Sequence, residues 1–250
     1  MGFPTTSVFT RVCHVKHGYD ERAAHIARQF ARHDVPLHFY LDWDVPDISD
    51  HVWSSFVGSS DLNRAEVSLA LKHVGIWREF LATDMPFCLV FEDDVFLASN
   101  FQKRFNECLT EFGSAERKAV VYLGNGGNYY TATSALTKGK SLYPAPHARC
   151  TDSYLITRPT AQARCAWFAA NALTQPIDHQ VNLIDAASGV EILWFERPIV
   201  EQGSHSGAFL SSINVERSRP LWWKRFEWNL KKYRRMLFGH RRDPAAKPTR

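Results

Sequence analysis

The stretch Met85–Leu97, reading MPFCLVFEDDVFL, limits the fold more than any other part of the chain. Pro86 punctuates it. Phe87 to Phe91 then form an unbroken apolar run, which reads as a strand buried on both faces, the kind found in the middle of a parallel sheet. The run ends in three carboxylates, Glu92, Asp93 and Asp94. In open α/β sheets, ligands bind beyond the carboxyl ends of the strands. Three acids there either share a cation or repel one another. Hard divalent ions take carboxylate oxygens and keep positions for substrate phosphates. One reading is therefore a metal site for a phosphate-bearing substrate, and the other is a solvated acidic turn.

The rest of the chain supplies an α/β frame. Val8–Val15 reads as a first strand, Asp20 onward as a helix carrying Ala23, Ile26, Ala27 and Phe30 at helical spacing, and Val35–Leu41 as a second strand. Strand, helix, strand opens a βαβ unit. Asp42–Ser60 carries loop signals, with Pro46 and Gly58. A long helix is expected from about Asn63 to Asp84, with Asn63 and Glu66 spaced as a capping box. Glu66 and His73 share one face of it. They either meet a site or act as a cap and an interior histidine. Further helices are expected after Asn100, from Arg158 to Ala172 and from Pro176. Short strands are expected at Ala119–Leu123, Asp152–Thr157 and Ile192–Phe195. The Gly124–Asn128 turn after a strand suits close backbone approach to a ligand, but matches no nucleotide fingerprint.

Charge separates the chain into a body and a tail. From Arg217 on, twelve basic residues face two acids, so the tail carries +10 of a net +4 and the body −6. Trp222, Phe226, Leu230, Tyr233 and Leu237 form one stripe of a helix whose other side is basic. That is the pattern of a helix lying on an anionic membrane surface, the alternative being a stripe packed on the body. Nucleic acid is not expected, because no recognition fold accompanies the charge. The five cysteines are scattered and odd in number, neither a disulfide framework nor a zinc signature. With no signal-peptide pattern and no membrane-spanning run, a cytoplasmic protein on the inner face of the membrane is expected. The expected organisation is one domain over 1–215, a basic amphipathic helix over 216–242 and a disordered end over 243–250.

Several motifs in order resemble the lipopolysaccharide-type glycosyltransferases of family 25. They are Arg64-Ala65-Glu66-Val67-Ser68-Leu69-Ala70-Leu71-Lys72-His73, Trp77, the Pro86–Val95 acidic strand, Asp152–Thr157, Pro176-Ile177-Asp178-His179 and the Gln202 loop. The family usually has Gly-Glu-Ile-Gly-Cys before its histidine and a serine just ahead of it, and Ala65, Ser68 and Lys72 depart from that. The resemblance implies a GT-A-like single α/β domain with a mixed, mostly parallel central sheet flanked by helices. It implies a nucleotide-sugar donor, commonly UDP-galactose, inversion at the anomeric carbon and a surface glycan acceptor such as lipooligosaccharide or capsule. It also implies Mn²⁺ or Mg²⁺ held by the acidic motif.

On that basis Glu92 and Asp94 are the expected metal ligands, with His205 as a further ligand from the C-terminal loop. Strand alternation turns Asp93 to the other side, toward the donor. Arg22, Glu66 and His73 complete the expected donor pocket. Asp178 is the expected base for the acceptor hydroxyl, with Asp152 as runner-up. Two other classes fit paired carboxylates on a basic-tailed protein: a glycoside hydrolase, which needs neither metal nor nucleotide, and a non-catalytic glycan-binding protein at the membrane.

Overall fold

The computed structural model describes residues 2–203 and 221–238, with side chains in the last segment from residue 230 on. His205 and the 243–250 end therefore lie outside the described residues. The body is an α/β layer structure. Its seven-stranded sheet runs β2-β1-β3-β7-β5-β8-β6, with β1 Val8–Cys13, β2 Phe39–Tyr40, β3 Phe87–Glu92, β5 Ala119–Tyr122, β6 Leu142–Pro144, β7 Ser153–Thr157 and β8 Glu191–Phe195. β1 pairs parallel with β2 and β3, and β5 with β8, while β7 and β6 run against their neighbours. The sheet is thus mixed, with five of its strands running one way.

β3 sits inside this sheet because both of its faces are apolar. Cys88 and Val90 join the core on one face, under helices α3 (Arg64–Leu81), α5 (Arg158–Ala170) and α6 (Ile177–Ser188). Phe87, Leu89 and Phe91 join the other, against Ile26 and Phe30 of α1 (Asp20–Arg32) and Phe101 and Phe105 of α4 (Phe101–Phe112). Beyond the acids, β4 (Val95–Leu97) pairs antiparallel with β9 (Val200–Gln202), folding the Gln202 segment back over the end of β3.

Some elements differ from their sequence expectation. The second strand shrinks to two residues, because the chain from Val35 reaches the sheet edge only at Phe39. Asp42–Ser60 is not merely irregular: it holds a short 3-10 turn at Val45–Asp47 and a helix, α2, at Asp50–Phe56 capped by Ser49. The proline-interrupted Ser141–His147 segment supplies β6, an edge strand that tolerates Pro144 at its end. The capping box holds as read, with Asn63 Oδ1 accepting from the amides of Ala65 and Glu66 and Glu66 Oε2 accepting from the Asn63 amide at 2.9 Å. The basic segment forms α7, Leu221–Phe238. Among the described residues no helix is long and apolar enough to cross a membrane, and the five cysteines are unpaired.

Candidate active site

Three strand ends converge on the acids. The Glu92 amide donates to the Asp152 carbonyl at 2.9 Å, tying the end of β3 to the start of β7, and the Leu123 amide donates to the Ser153 carbonyl at 3.1 Å, adding the end of β5. Gly124 has no side chain because a Cβ there would lie 2.2 Å from Asp152 Oδ2, and one on Gly126 would lie 2.0 Å from the Arg149 carbonyl. On the side where their Cβ atoms would lie, these glycines make room for the neighbouring chain segment.

β3 ends at Glu92, and Asp93 and Asp94 lie in the turn that follows it, where Asp93 and Glu92 take different partners. Asp93 Oδ1 accepts from Arg22 at 2.9 Å, and Asp93 Oδ2 lies 2.7 Å from His14 Nδ1. Two of the expected donor residues, Arg22 and Asp93, are thus bound to each other, and His14 joins them. Glu92 turns the other way, with Oε1 accepting from the Thr151 hydroxyl at 3.1 Å and Oε2 from Gln202 Nε2 at 3.4 Å. Burial, then Asp94 and then Asp152 push the Glu92 carboxyl well above the usual carboxylate range. Burial chiefly lifts Asp152 to about 7, against the Ser153 hydrogen bond and with help from Asp94. Half-buried Glu92 and the buried Asp94 and Asp152 therefore lie within electrostatic reach of one another. The guanidinium of Arg149 is spent on Glu196, and Asp152 Oδ1 has no hydrogen-bond partner among the described residues.

Glu92 and Asp94 line a cavity of about 370 Å³, which Arg22, Asp93, Lys72 and Asp44 also line. Glu92, Asp94, Arg22 and Asp93 are therefore brought together. Glu66, His73, Asp152 and Asp178 are not among the cavity's lining residues. Glu66 closes the cap of α3. His73 is fully buried, its Nδ1 2.9 Å from the Tyr154 hydroxyl, which accepts from Trp77 Nε1 at 2.8 Å. Burial and the charge of Arg164 lower its pKa to about 3, so it is a neutral interior histidine. The two residues share a face at helical spacing, but His73 lies two turns further in, where α3 is wrapped by α5 and the sheet. Asp178 is half-exposed in the first turn of α6, its Oδ1 accepting from the His179 amide at 3.0 Å. It stays within electrostatic reach of the cluster, since burial and then Glu92, Asp152 and Asp178 together raise the Cys150 thiol well above its ordinary value. His14, Thr151 and Asp44 were not singled out from the sequence. Only the pairing of strand ends gives them a site.

The donor set suits a hard divalent cation: neighbouring carboxyls raise one another, and one carboxylate oxygen lies unpartnered among them. Among the described residues no three His, Cys, Asp or Glu side chains are already gathered as a coordinating set. Glu92 and Asp94 would hold such an ion.

The profile of glycosyltransferase family 25, described as LPS biosynthesis protein, matches residues 18–180, well over half the chain. The chain belongs to this family. It is 32% identical over 95 residues to the lacto-N-neotetraose biosynthesis glycosyltransferase LgtB of Neisseria meningitidis serogroup B, covering 33% of this chain and 32% of LgtB. It is 23% identical over 130 residues to a Haemophilus influenzae protein named as a glycosyltransferase, covering 50% of this chain and 45% of that one. The match therefore spans under half the length of either relative. Among solved structures, a glycosyltransferase involved in the glycosylation of the major capsid of PBCV-1 aligns with TM-score 0.45 and 6% identity, covering 90% of this chain and 99% of that one.

Proposed function

We propose that this member of family 25 is a metal-dependent, inverting glycosyltransferase. It moves a sugar, galactose from UDP-galactose, onto a bacterial surface glycan such as lipooligosaccharide or capsule. The observation that carries this reading is the Glu92–Asp94–Asp152 carboxyl cluster at the strand ends, of which Glu92 and Asp94 line a cavity whose wall also holds Arg22. When bound, Mn²⁺ or Mg²⁺ supplies Lewis-acid stabilisation to the diphosphate leaving group. Glu92 and Asp94 are the residues to hold it. Asp93 fixes the Arg22 guanidinium at the cavity wall, where it meets the negative charge that grows as the glycosidic bond breaks. Asp178, open to solvent where Asp152 is sealed, takes the proton of the acceptor hydroxyl. Asp152 works with the metal-holding acids. The purified protein with UDP-galactose, Mn²⁺ and lipooligosaccharide should form a galactosylated product, and chelation by EDTA should stop it. Hydrolysis of an aryl glycoside in EDTA, with no use of any nucleotide sugar, would make it a glycoside hydrolase instead.

The same proposal places the enzyme on an anionic membrane through α7. The helix is held to the body by the face opposite its apolar stripe: Lys232 Nζ donates to Glu201 at 2.7 Å, Arg235 donates to the Gly127 carbonyl at 2.6 Å, and the Thr133 hydroxyl donates to the Met236 carbonyl at 2.6 Å. Two residues expected on the free basic face are therefore used for docking. Leu230, Tyr233, Leu237 and Phe238 are instead 62%, 64%, 58% and 74% exposed, beside exposed Lys231 and Arg234. An outward apolar stripe flanked by cations suits an anionic lipid surface. Changing Leu230, Tyr233 and Leu237 together to Ser should weaken cosedimentation with phosphatidylglycerol-containing vesicles at least about tenfold. Undiminished sedimentation would remove the membrane from the proposal.

A further inference from the structure

The cavity continues past the acids into a slot that the metal chemistry does not use. One wall is the Asp44-Val45-Pro46 turn, and the other is the face of α3 carrying Ala65, Leu69 and Lys72, one and two turns apart. Lys72 is 3% exposed. Its Nζ donates to the Asp42 carbonyl and to Asp44 Oδ1, both at 2.7 Å. Asp44 Oδ2 accepts from the Lys16 amide at 2.8 Å. An ammonium has three N–H donors, and a carboxylate has about four acceptor positions. After these contacts the pair still offers one donor beside unfilled acceptor positions, and both residues line the cavity. A buried lysine costs desolvation that a cavity wall of ordinary residues would avoid.

A ligand edge that fits this pair has an acceptor next to a donor. Phosphate does not fit, because Asp44 would repel it. A sugar edge, whose hydroxyls each donate and accept, needs no ordered pair and gains little from the apolar walls of Val45, Pro46, Ala65 and Leu69. A flat ring with C=O beside N–H matches both the order and the walls: uracil offers it at N3–H and guanine at N1–H, and the UDP-sugar donor proposed above selects uracil. We infer that Lys72 and Asp44 read the nucleobase of the donor, with Lys72 donating to a ring carbonyl of uracil and Asp44 accepting from its N3–H. The inference rests on the nucleotide-sugar reading and names the part of the site that selects the nucleotide. Ser68 donates to the Trp43 carbonyl and Lys72 to the Asp42 carbonyl, so α3 grips the chain just ahead of Asp44.

Cytosine presents acceptors at both O2 and N3, and its N3 would face the Asp44 carboxylate. The full chain, titrated with UDP, CDP, GDP and ADP in Mn²⁺ by calorimetry, should bind UDP at least about tenfold tighter than CDP. Asp44→Asn keeps the side-chain shape and offers an amide N–H to cytosine N3. It should shift the UDP-to-CDP affinity ratio toward CDP by at least about tenfold. Lys72→Met, checked for folding by its melting curve, should weaken both pyrimidine nucleotides. If UDP binds the wild type and the ratio is the same in Asp44→Asn, the base-reading pair is wrong while the donor reading stands. If none of the four nucleotides binds, both fall.

Discussion

Asp94→Asn is expected to abolish metal-dependent sugar transfer, by at least about a hundredfold in kcat/KM, without lowering the melting temperature. Asp94 is 2% exposed and raises the carboxyl of Glu92, after burial itself and ahead of Asp152. The folded pKa of Glu92 lies above its unfolded value, so the folded state favours its protonated form. Its contribution is intact below the unfolded pKa and is lost as pH rises through the folded one. At neutral pH the acids therefore destabilise the protein they serve. Neutralising Asp94 removes one source of that repulsion, so the variant should melt at or above the wild-type temperature, as is common where function holds like charges together. Mn²⁺ discriminates further. At a concentration about a hundred times its Kd, an ion that binds only the folded state adds about 2.7 kcal/mol. The wild type should therefore melt higher in Mn²⁺, and Asp94→Asn should not. Full Mn²⁺-dependent turnover by Asp94→Asn would take the metal away from this cluster.

How much of this could be read from the sequence depends on the range of the interaction. β3 was legible because an apolar run closed by three acids constrains both its burial and its end. The different partners of Asp93 and Glu92 come from the turn that begins after Glu92, not from strand alternation, because the strand has already ended there. The capping box of Asn63 and Glu66 was legible for a local reason, which is also why Glu66 is a cap and not a pocket residue. His14 and Asp44 were not legible, since each acquires its partner, Asp93 and Lys72, only when β1, β3 and α3 come together. The glycine turn was legible only in part. The sequence shows that backbone must approach something at Gly124 and Gly126, but not that Asp152 and Arg149 of the same chain occupy the space. On α7, Leu230, Tyr233 and Leu237 of the expected stripe are exposed together, while the side chains of Trp222 and Phe226 lie outside those described. Which face would dock could not be read, because Glu201 and the Gly127 and Asn128 carbonyls are brought to the helix by the sheet.

Asp185→Ala should be among the most destabilising single changes in the protein, for a reason invisible in the sequence. α5 reads as an ordinary amphipathic helix, yet Arg164 points into the core and is fully buried, as is Asp185 on α6. The two form a bidentate pair, Nε to Oδ1 at 2.9 Å and Nη2 to Oδ2 at 2.7 Å, and the guanidinium lies 5.1 Å from the Trp77 ring centroid. Burial works against the Arg164 charge, but the Asp185 carboxylate more than restores it, so the pKa ends above its ordinary value. Truncating Asp185 leaves that charge buried without its counterion, at a cost of about 3–5 kcal/mol. A chain of this size loses about 2–4 °C per kcal/mol, so the melting temperature should fall by roughly 10 °C. The pair itself need not be worth that much. Replacing both partners, as Arg164→Met with Asp185→Leu, should recover most of the loss, because two buried charges are exchanged for packed apolar volume. The double variant also removes the charge that, after burial, holds His73 neutral, while Trp77 and Tyr154 stay in place around the imidazole. α3 should keep its position and Lys72 its place in the cavity, so nucleotide binding should survive in the double variant at temperatures where Asp185→Ala has melted. Equal melting temperatures for Asp185→Ala and the wild type would mean that Arg164 reaches water, contrary to the packing of α3 against α5 and α6.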